Sequence, residues 1–132
     1  MIRGLDTSVI LRLVTNRPQP MAAEVADKVR AFLAGGDTFT VSDLVVSEAY
    51  FALQHHYDLT KEQAIESLCL LSRENGFHFS DIARNALETP NAYKMSPGLV
   101  DHMIHGEYRQ LRIRTLSCEK DFRKLPDADV IP

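Results

Sequence analysis

Residues 2–15, IRGLDTSVILRLVT, change period half-way along, and that change decides the class of fold. Residues 2–6 read as a short buried strand, while 8–15 (SVILRLVT) carry apolar side chains at helical spacing. Asp6, followed by the hydroxyls of Thr7 and Ser8, stands where the strand ends and the helix begins. The same alternation runs on through the chain. After the turn-rich NRPQP (16–20), Val25, Val29, Phe32 and Leu33 line one face of a helix over 21–34 that stops at Gly35-Gly36. TFTV at 38–41 is a second strand, Ser42 caps a helix to about Tyr57, and Thr60 with Gln63 makes a capping box for a helix to about Arg73. GFHFS at 76–80 predicts a third strand, followed by a helix from Asp81 to about Ala92. Ser96-Pro97 signals a helix that runs to about Arg109, and IRTLS (113–117) and ADVIP (128–132) are the last two strands.

Strands separated by one or two helices require parallel pairing, with helices on both faces of the sheet, so the fold class is α/β. At 132 residues the chain is one domain, 1–132, large enough to bury a core without a disulfide or metal staple. Charged residues are 25% and hydrophobic ones 45%, which excludes a disordered chain. No window approaches the roughly 20 apolar residues of a membrane span. The start MIRGLD lacks the basic-then-apolar build of a signal peptide, so a cytoplasmic protein with no membrane role is expected. Cys69 and Cys118 form no C-x-x-C pair and read as free thiols.

The net charge of −3 gives no overall attraction to nucleic acid, but the charge is uneven. Between 109 and 124 stand six bases (Arg109, Arg112, Arg114, Lys120, Arg123, Lys124) and only two acids (Glu119, Asp121). Such a local field steers a polyanion even where the total is negative; its plainer reading is the solvated surface of a last helix and strand.

In open parallel sheets ligands bind beyond the carboxyl ends of the strands, where Asp6, Glu119 and Asp121 fall. Glu48 is the acid that local structure explains least. A helical wheel on SDLVVSEAYFALQHH (42–56) groups Leu44, Val45, Glu48 and Ala52 with Val41, so Glu48 interrupts the face expected to meet the sheet. A carboxylate there needs a cation, a hydrogen-bond network or a raised pKa, unless it lies at the stripe's edge and reaches water. Asp6 is equally a helix cap, a role that stabilises a first turn by about 1 kcal/mol. Asp101 falls four residues after Pro97, beyond the reach of capping or the helix dipole, between the inward positions Val100 and Ile104. Glu119 and Asp121, taken singly, are turn acids. If the strand ends and helix starts meet at one edge, these carboxylates converge, and like charges at close range require cations. Oxygen-only ligands suit Mg²⁺ or Mn²⁺, and two such ions about 4 Å apart activate water in phosphodiester hydrolysis.

DTS at 6–8, VSDLVVSEAYFAL at 41–53, GLVDHMI at 98–104 and LSCEKDFRKLP at 116–126 resemble, in this order, the motifs of the PIN domain, most closely the VapC-type toxins of toxin–antitoxin pairs. The resemblance covers essentially the whole chain. It implies a three-layer α/β/α sandwich around a mostly parallel sheet of about five strands, a Mg²⁺- or Mn²⁺-dependent ribonuclease, homodimerisation, and inhibition by a cognate antitoxin that blocks the acidic pocket. It also implies catalytic roles for Asp6, Glu48, Asp101 and Glu119, with Asp6, Asp101, Glu119 and Asp121 as metal ligands. Thr7, Ser8 and Ser117 would hydrogen-bond the ligating carboxylates, and Arg109, Arg112, Arg114, Lys120 and Arg123 would hold RNA. Glu119 stands where the family has Asp. One extra methylene shifts a carboxylate by on the order of 1 Å, enough to cost catalysis about 100-fold, so Asp121 or a water is the alternative for the second metal shell.

Three rivals fall to the residues themselves or stay open. An aspartyl-phosphate enzyme needs a second Asp two residues after the first, where this chain has Ser8. A zinc site from Asp101, His102 and His105 lacks a cysteine, and the histidines, like His55 and His56, read as surface residues. The remaining rival is a PIN-like module that binds RNA or a partner without cleaving.

Overall fold

The change of period at Asp6 becomes β1 (Ile2–Gly4) and α1 (Thr7–Thr15), with the Asp6 carboxylate capping the helix. Beyond it, a computed structural model describes all residues, 1–132, and runs α2 (Met21–Ala34), β2 (Thr38–Val41), α3 (Asp43–His55), α4 (Lys61–Ser72) and β3 (Phe77–Phe79). Then follow α5 (Asp81–Glu88), α6 (Leu99–Gln110), β4 (Thr115–Ser117) and β5 (Ala128–Val130), with short 3-10 turns at Ala92–Lys94 and Lys120–Lys124. Ser42 caps α3, Ser80 caps α5, and Thr60 and Gln63 exchange both hydrogen bonds of a capping box on α4. These polar starts satisfy amides that a helix leaves unpaired, so each boundary is written locally.

All pairing is parallel: β1 with β2, β2 with β3, and β4 with β5. Alternation turns Phe39, Val41, Phe77 and Phe79 into the core, and leaves Thr40 and His78 exposed. Phe39, in the middle strand, packs on Phe77 at 5.4 Å and edge-on to Phe32 at 6.4 Å between ring centroids. Around it close Ile10, Val46, Leu53, Leu68 and Leu99, one or two from each of α1, α3, α4 and α6. Side chains that fully buried stabilise by about 1.5–3 kcal/mol apiece, so the helices are locked to the sheet by one contiguous core.

The sheet is smaller than the sequence suggests. Five parallel strands form, but as a three-stranded sheet and a separate two-stranded one, not as one sheet of five. The three-residue β4 spends its hydrogen bonds toward β5, with Thr115 N–H to Asp127 C=O at 3.1 Å and Ile131 N–H to Ser117 C=O at 2.9 Å. Two helix boundaries also differ. The helix expected to reach Ala92 ends at Glu88, because Thr89 precedes Pro90 and turns extended, with φ −60° and ψ 128°. The helix expected from Ser96-Pro97 begins at Leu99 with Gly98 as its cap, since the Ser96 hydroxyl is bonded instead to Asp121.

Gly76, in the turn before β3, has φ +88°, and a Cβ there would collide with Leu33 Cδ2. Gly76→Ala should therefore destabilise the fold by about 1–3 kcal/mol, from both backbone strain and overpacking. Gly35→Ala, at φ −81° with only ordinary contacts, should leave stability unchanged or raise it. Thermal unfolding of the two variants checks this, and equal melting points would refute the strain at Gly76.

Candidate functional site

Because β1, β2 and β3 are parallel, their carboxyl ends share one edge, and an acid or its hydroxyl partner stands at each. Asp6 follows β1. Its carboxylate accepts from Ser8 Oγ at 2.9 Å and from Ser8 N at 3.4 Å, and these bonds, with a further backbone bond from Thr7, hold it below the ordinary carboxylate value. The Thr7 hydroxyl, buried, donates to Glu48 Oε1 and so links α1 to α3. Asp43 follows β2 and receives the Ser80 hydroxyl, from the end of β3, at 2.6 Å. Sequence reasoning missed Asp43, although an acid directly after a predicted strand is the same signal that singled out Asp6.

Glu48 does not interrupt the packed face of α3. Val46, Ala49, Tyr50 and Leu53 point inward, Leu44 is 82% exposed, and Glu48 is exposed. The stripe 46, 49, 50, 53 has the same helical spacing and no charge, so it is the face that packs without desolvating a carboxylate. Asp101 also stands elsewhere than expected. With α6 starting at Leu99 it lies in the first turn, where the helix dipole favours an acid, and Ile104 is 41% exposed rather than inward. Asp101 lines a pocket whose far wall is α3, one turn beyond Glu48.

The C-terminal acids are held by their own turn. The Ser117 hydroxyl accepts from the Glu119 backbone N–H at 2.9 Å, so it fixes the loop rather than a carboxylate. Asp121 accepts from Ser96, in the loop that leads into α6. Below this loop His105 is buried, 4% exposed, and not at the surface. His105 Nδ1 and Thr115 Oγ1 share a hydrogen bond of 2.7 Å, and the ring stands edge-on to Phe122 at 6.2 Å. This contact fastens α6 to β4 and to the turn carrying Asp121.

The basic stretch is less free than its sequence implies. Arg114 makes two bonds to Asp129, at 2.8 and 3.0 Å, and lies 3.6 Å from Asp127, which also meets Arg109 at 3.4 Å. Each partner shifts the other: Asp129 is held low by Arg114, and Arg114 high by Asp129. Arg112, Lys120, Arg123 and Lys124 are exposed and carry no ion pair.

The PIN domain family model matches residues 5–128. The chain belongs to the PIN-domain family. The match spans Asp6, Asp43, Glu48, Asp101, Glu119 and Asp121, and PIN domains are in general nucleases of the hydrolase class. No curated protein and no solved structure matches this PIN domain. No helix of it is long and apolar enough to cross a membrane. The donors at the strand ends are all oxygen, the chemistry of a hard divalent ion, while no three acid, histidine or cysteine side chains stand close enough to share one in this arrangement.

Ser8→Ala should raise the Asp6 pKa toward the ordinary carboxylate value, since it removes the hydroxyl bond and leaves only backbone donors. A pKa lowered on folding contributes stability above the unfolded value and loses it as pH falls through the folded one. The wild-type protein should therefore keep Asp6 ionised further into acid than the variant does. An NMR titration of the Asp6 carboxyl carbon measures this, and identical midpoints would show that Ser8 does not tune it.

Proposed function

We propose that this PIN domain is a metal-dependent endoribonuclease of the cytoplasm that hydrolyses RNA phosphodiester bonds as the toxin of a toxin–antitoxin pair. One observation carries the reading: four acids of the strand-end region are partnered by hydroxyls, and none of the proposed ligands meets a cation. Asp6 has Ser8, Glu48 has Thr7, Asp43 has Ser80 and Asp121 has Ser96. The acids that do meet cations are Asp27, Asp37, Glu88, Asp127 and Asp129, none of them in this set. A hydroxyl orients a carboxylate without cancelling its charge, so the region keeps a negative field that a divalent ion would neutralise.

In this reading Asp6, Asp101, Glu119 and Asp121 would hold Mg²⁺ or Mn²⁺, and Glu48 would orient the attacking water. Bound there, the ion would supply Lewis-acid polarisation of the phosphate and a water acidic enough to attack at neutral pH. Thr7 and Ser8 fix the carboxylates in register, and Ser117 sets the turn that carries Glu119. Arg112, Lys120 and Arg123 meet the phosphate backbone directly; Arg109 and Arg114 reach it in competition with Asp127 and Asp129. The toxin role, the cognate antitoxin and the homodimer follow from the order of the four motifs and their likeness to VapC-type chains. A second reading, a module that binds RNA or a partner without cutting, is favoured by Glu119 in the place of Asp and by the spread of the acids.

Purified protein, freed of any partner, should cut total RNA with Mg²⁺ or Mn²⁺ and not in EDTA. Asp6→Asn should lower the rate by at least about 100-fold, the scale on which removing one electrostatic group acts, while leaving RNA binding intact. Gel analysis of the digest decides between the readings: folded wild-type protein that binds RNA and never cuts it would leave the binding module.

A further inference from the structure

The pocket beside Asp101 holds side chains that the proposed cleavage chemistry does not use. It measures about 250 Å³, and its walls come from α3 (Tyr50, Phe51, Gln54), Lys61 at the start of α4, and Gly98–Asp101 at the start of α6. Phe51 is 48% exposed, so burial does not account for it. Its ring stacks on that of His55, one turn along, with centroids 6.4 Å apart and planes 19° from parallel. Gln54 donates an amide N–H to the Tyr50 carbonyl at 3.1 Å, which fixes the side chain and leaves its own carbonyl oxygen free. Lys61 carries no ion pair.

An aromatic face, an oriented amide and an unpaired ammonium are the three groups that recognise an unstacked nucleotide. The base stacks on the ring, its edge meets the amide, and the phosphate meets the cation. The size fits as well, because about 250 Å³ lies below the roughly 300–1,000 Å³ of sites for drug-sized ligands and suits a single base. We infer that this pocket takes one unpaired base of an RNA strand, stacked on Phe51, and so sets where the strand lies relative to the acids. The inference rests on the ribonuclease reading above. A base held there would run the strand past Asp101 and Lys61, which line the same pocket, with Lys61 meeting the phosphate backbone. The pocket thereby selects single-stranded RNA, since a paired base cannot leave its stack without an added cost.

The test uses the full chain and a fluorescein-labelled single-stranded RNA oligonucleotide of mixed sequence. Phe51→Ala should raise KM for its cleavage by about 5- to 100-fold with kcat retained, the range expected for losing one base–aromatic stack. It should weaken binding by the same factor, read by fluorescence anisotropy in the non-cleaving Asp6→Asn background. Phe51→Tyr should restore both, and Lys61→Ala should weaken binding with a reduced dependence on salt. If wild-type protein cuts and Phe51→Ala cuts with the same KM, the pocket is not a base site. If Phe51→Ala lowers the mass seen by sedimentation, a second copy of the chain covers this face and the inference falls. If no variant cuts but Phe51→Ala still loses the oligonucleotide, the base site stands and only the nuclease reading fails.

Discussion

The parallel pairing of β1, β2 and β3 is the constraint on which the rest of this PIN domain depends. A parallel strand cannot return by a tight turn, so each connection runs through helices and brings the chain back to the same starting edge. Every strand then ends on one side of the sheet, and the residues after them are gathered although they lie some forty positions apart: Asp6 after β1, Asp43 after β2, Ser80 after β3. The core serves this geometry. Phe39 in the middle strand holds Phe77 and Phe32, and the helices that carry Thr7 and Glu48 are fixed by Ile10 and Val46, both fully buried.

Charge is sorted on this scaffold. Near the strand ends carboxylates meet hydroxyls; away from them, carboxylates meet arginines or the terminal ammonium. The two arrangements differ in what they leave behind. The Arg114–Asp129 pair is nearly neutral to anything beyond it, whereas Asp6 bonded to Ser8 is held ionised with its full charge turned outward. Asp127 and Asp129 take up part of the positive field of the C-terminal stretch, which concentrates the remaining attraction on Arg112, Lys120 and Arg123.

Much of this was legible from local sequence. Asp6, Ser42 and the Thr60–Gln63 box work across three residues or fewer, so the helix starts they predict are found within one residue of where they were read. Where a boundary depended on a distant partner, local reading failed. Ser96-Pro97 has the form of a helix start, yet its hydroxyl is taken by Asp121, twenty-five residues on, and α6 begins later. Glu48 was assigned to the wrong face for a related reason. Two stripes on α3 share the helical period, and the wheel by itself does not tell which one meets the sheet.

The sequence by itself determined the class of fold, the positions of the strands and helices, and membership of the PIN-domain family, because periodicity, caps and motif order are properties of neighbouring residues. Tertiary structure decided the rest. It split five strands into two sheets, turned Glu48 outward onto Thr7, buried His105 against Thr115, and set Phe51, Gln54 and Lys61 around Asp101. None of these is set by immediate neighbours in the chain, and such contacts are settled by which faces pack together, a choice that burial of the whole core makes at once rather than any local run of side chains.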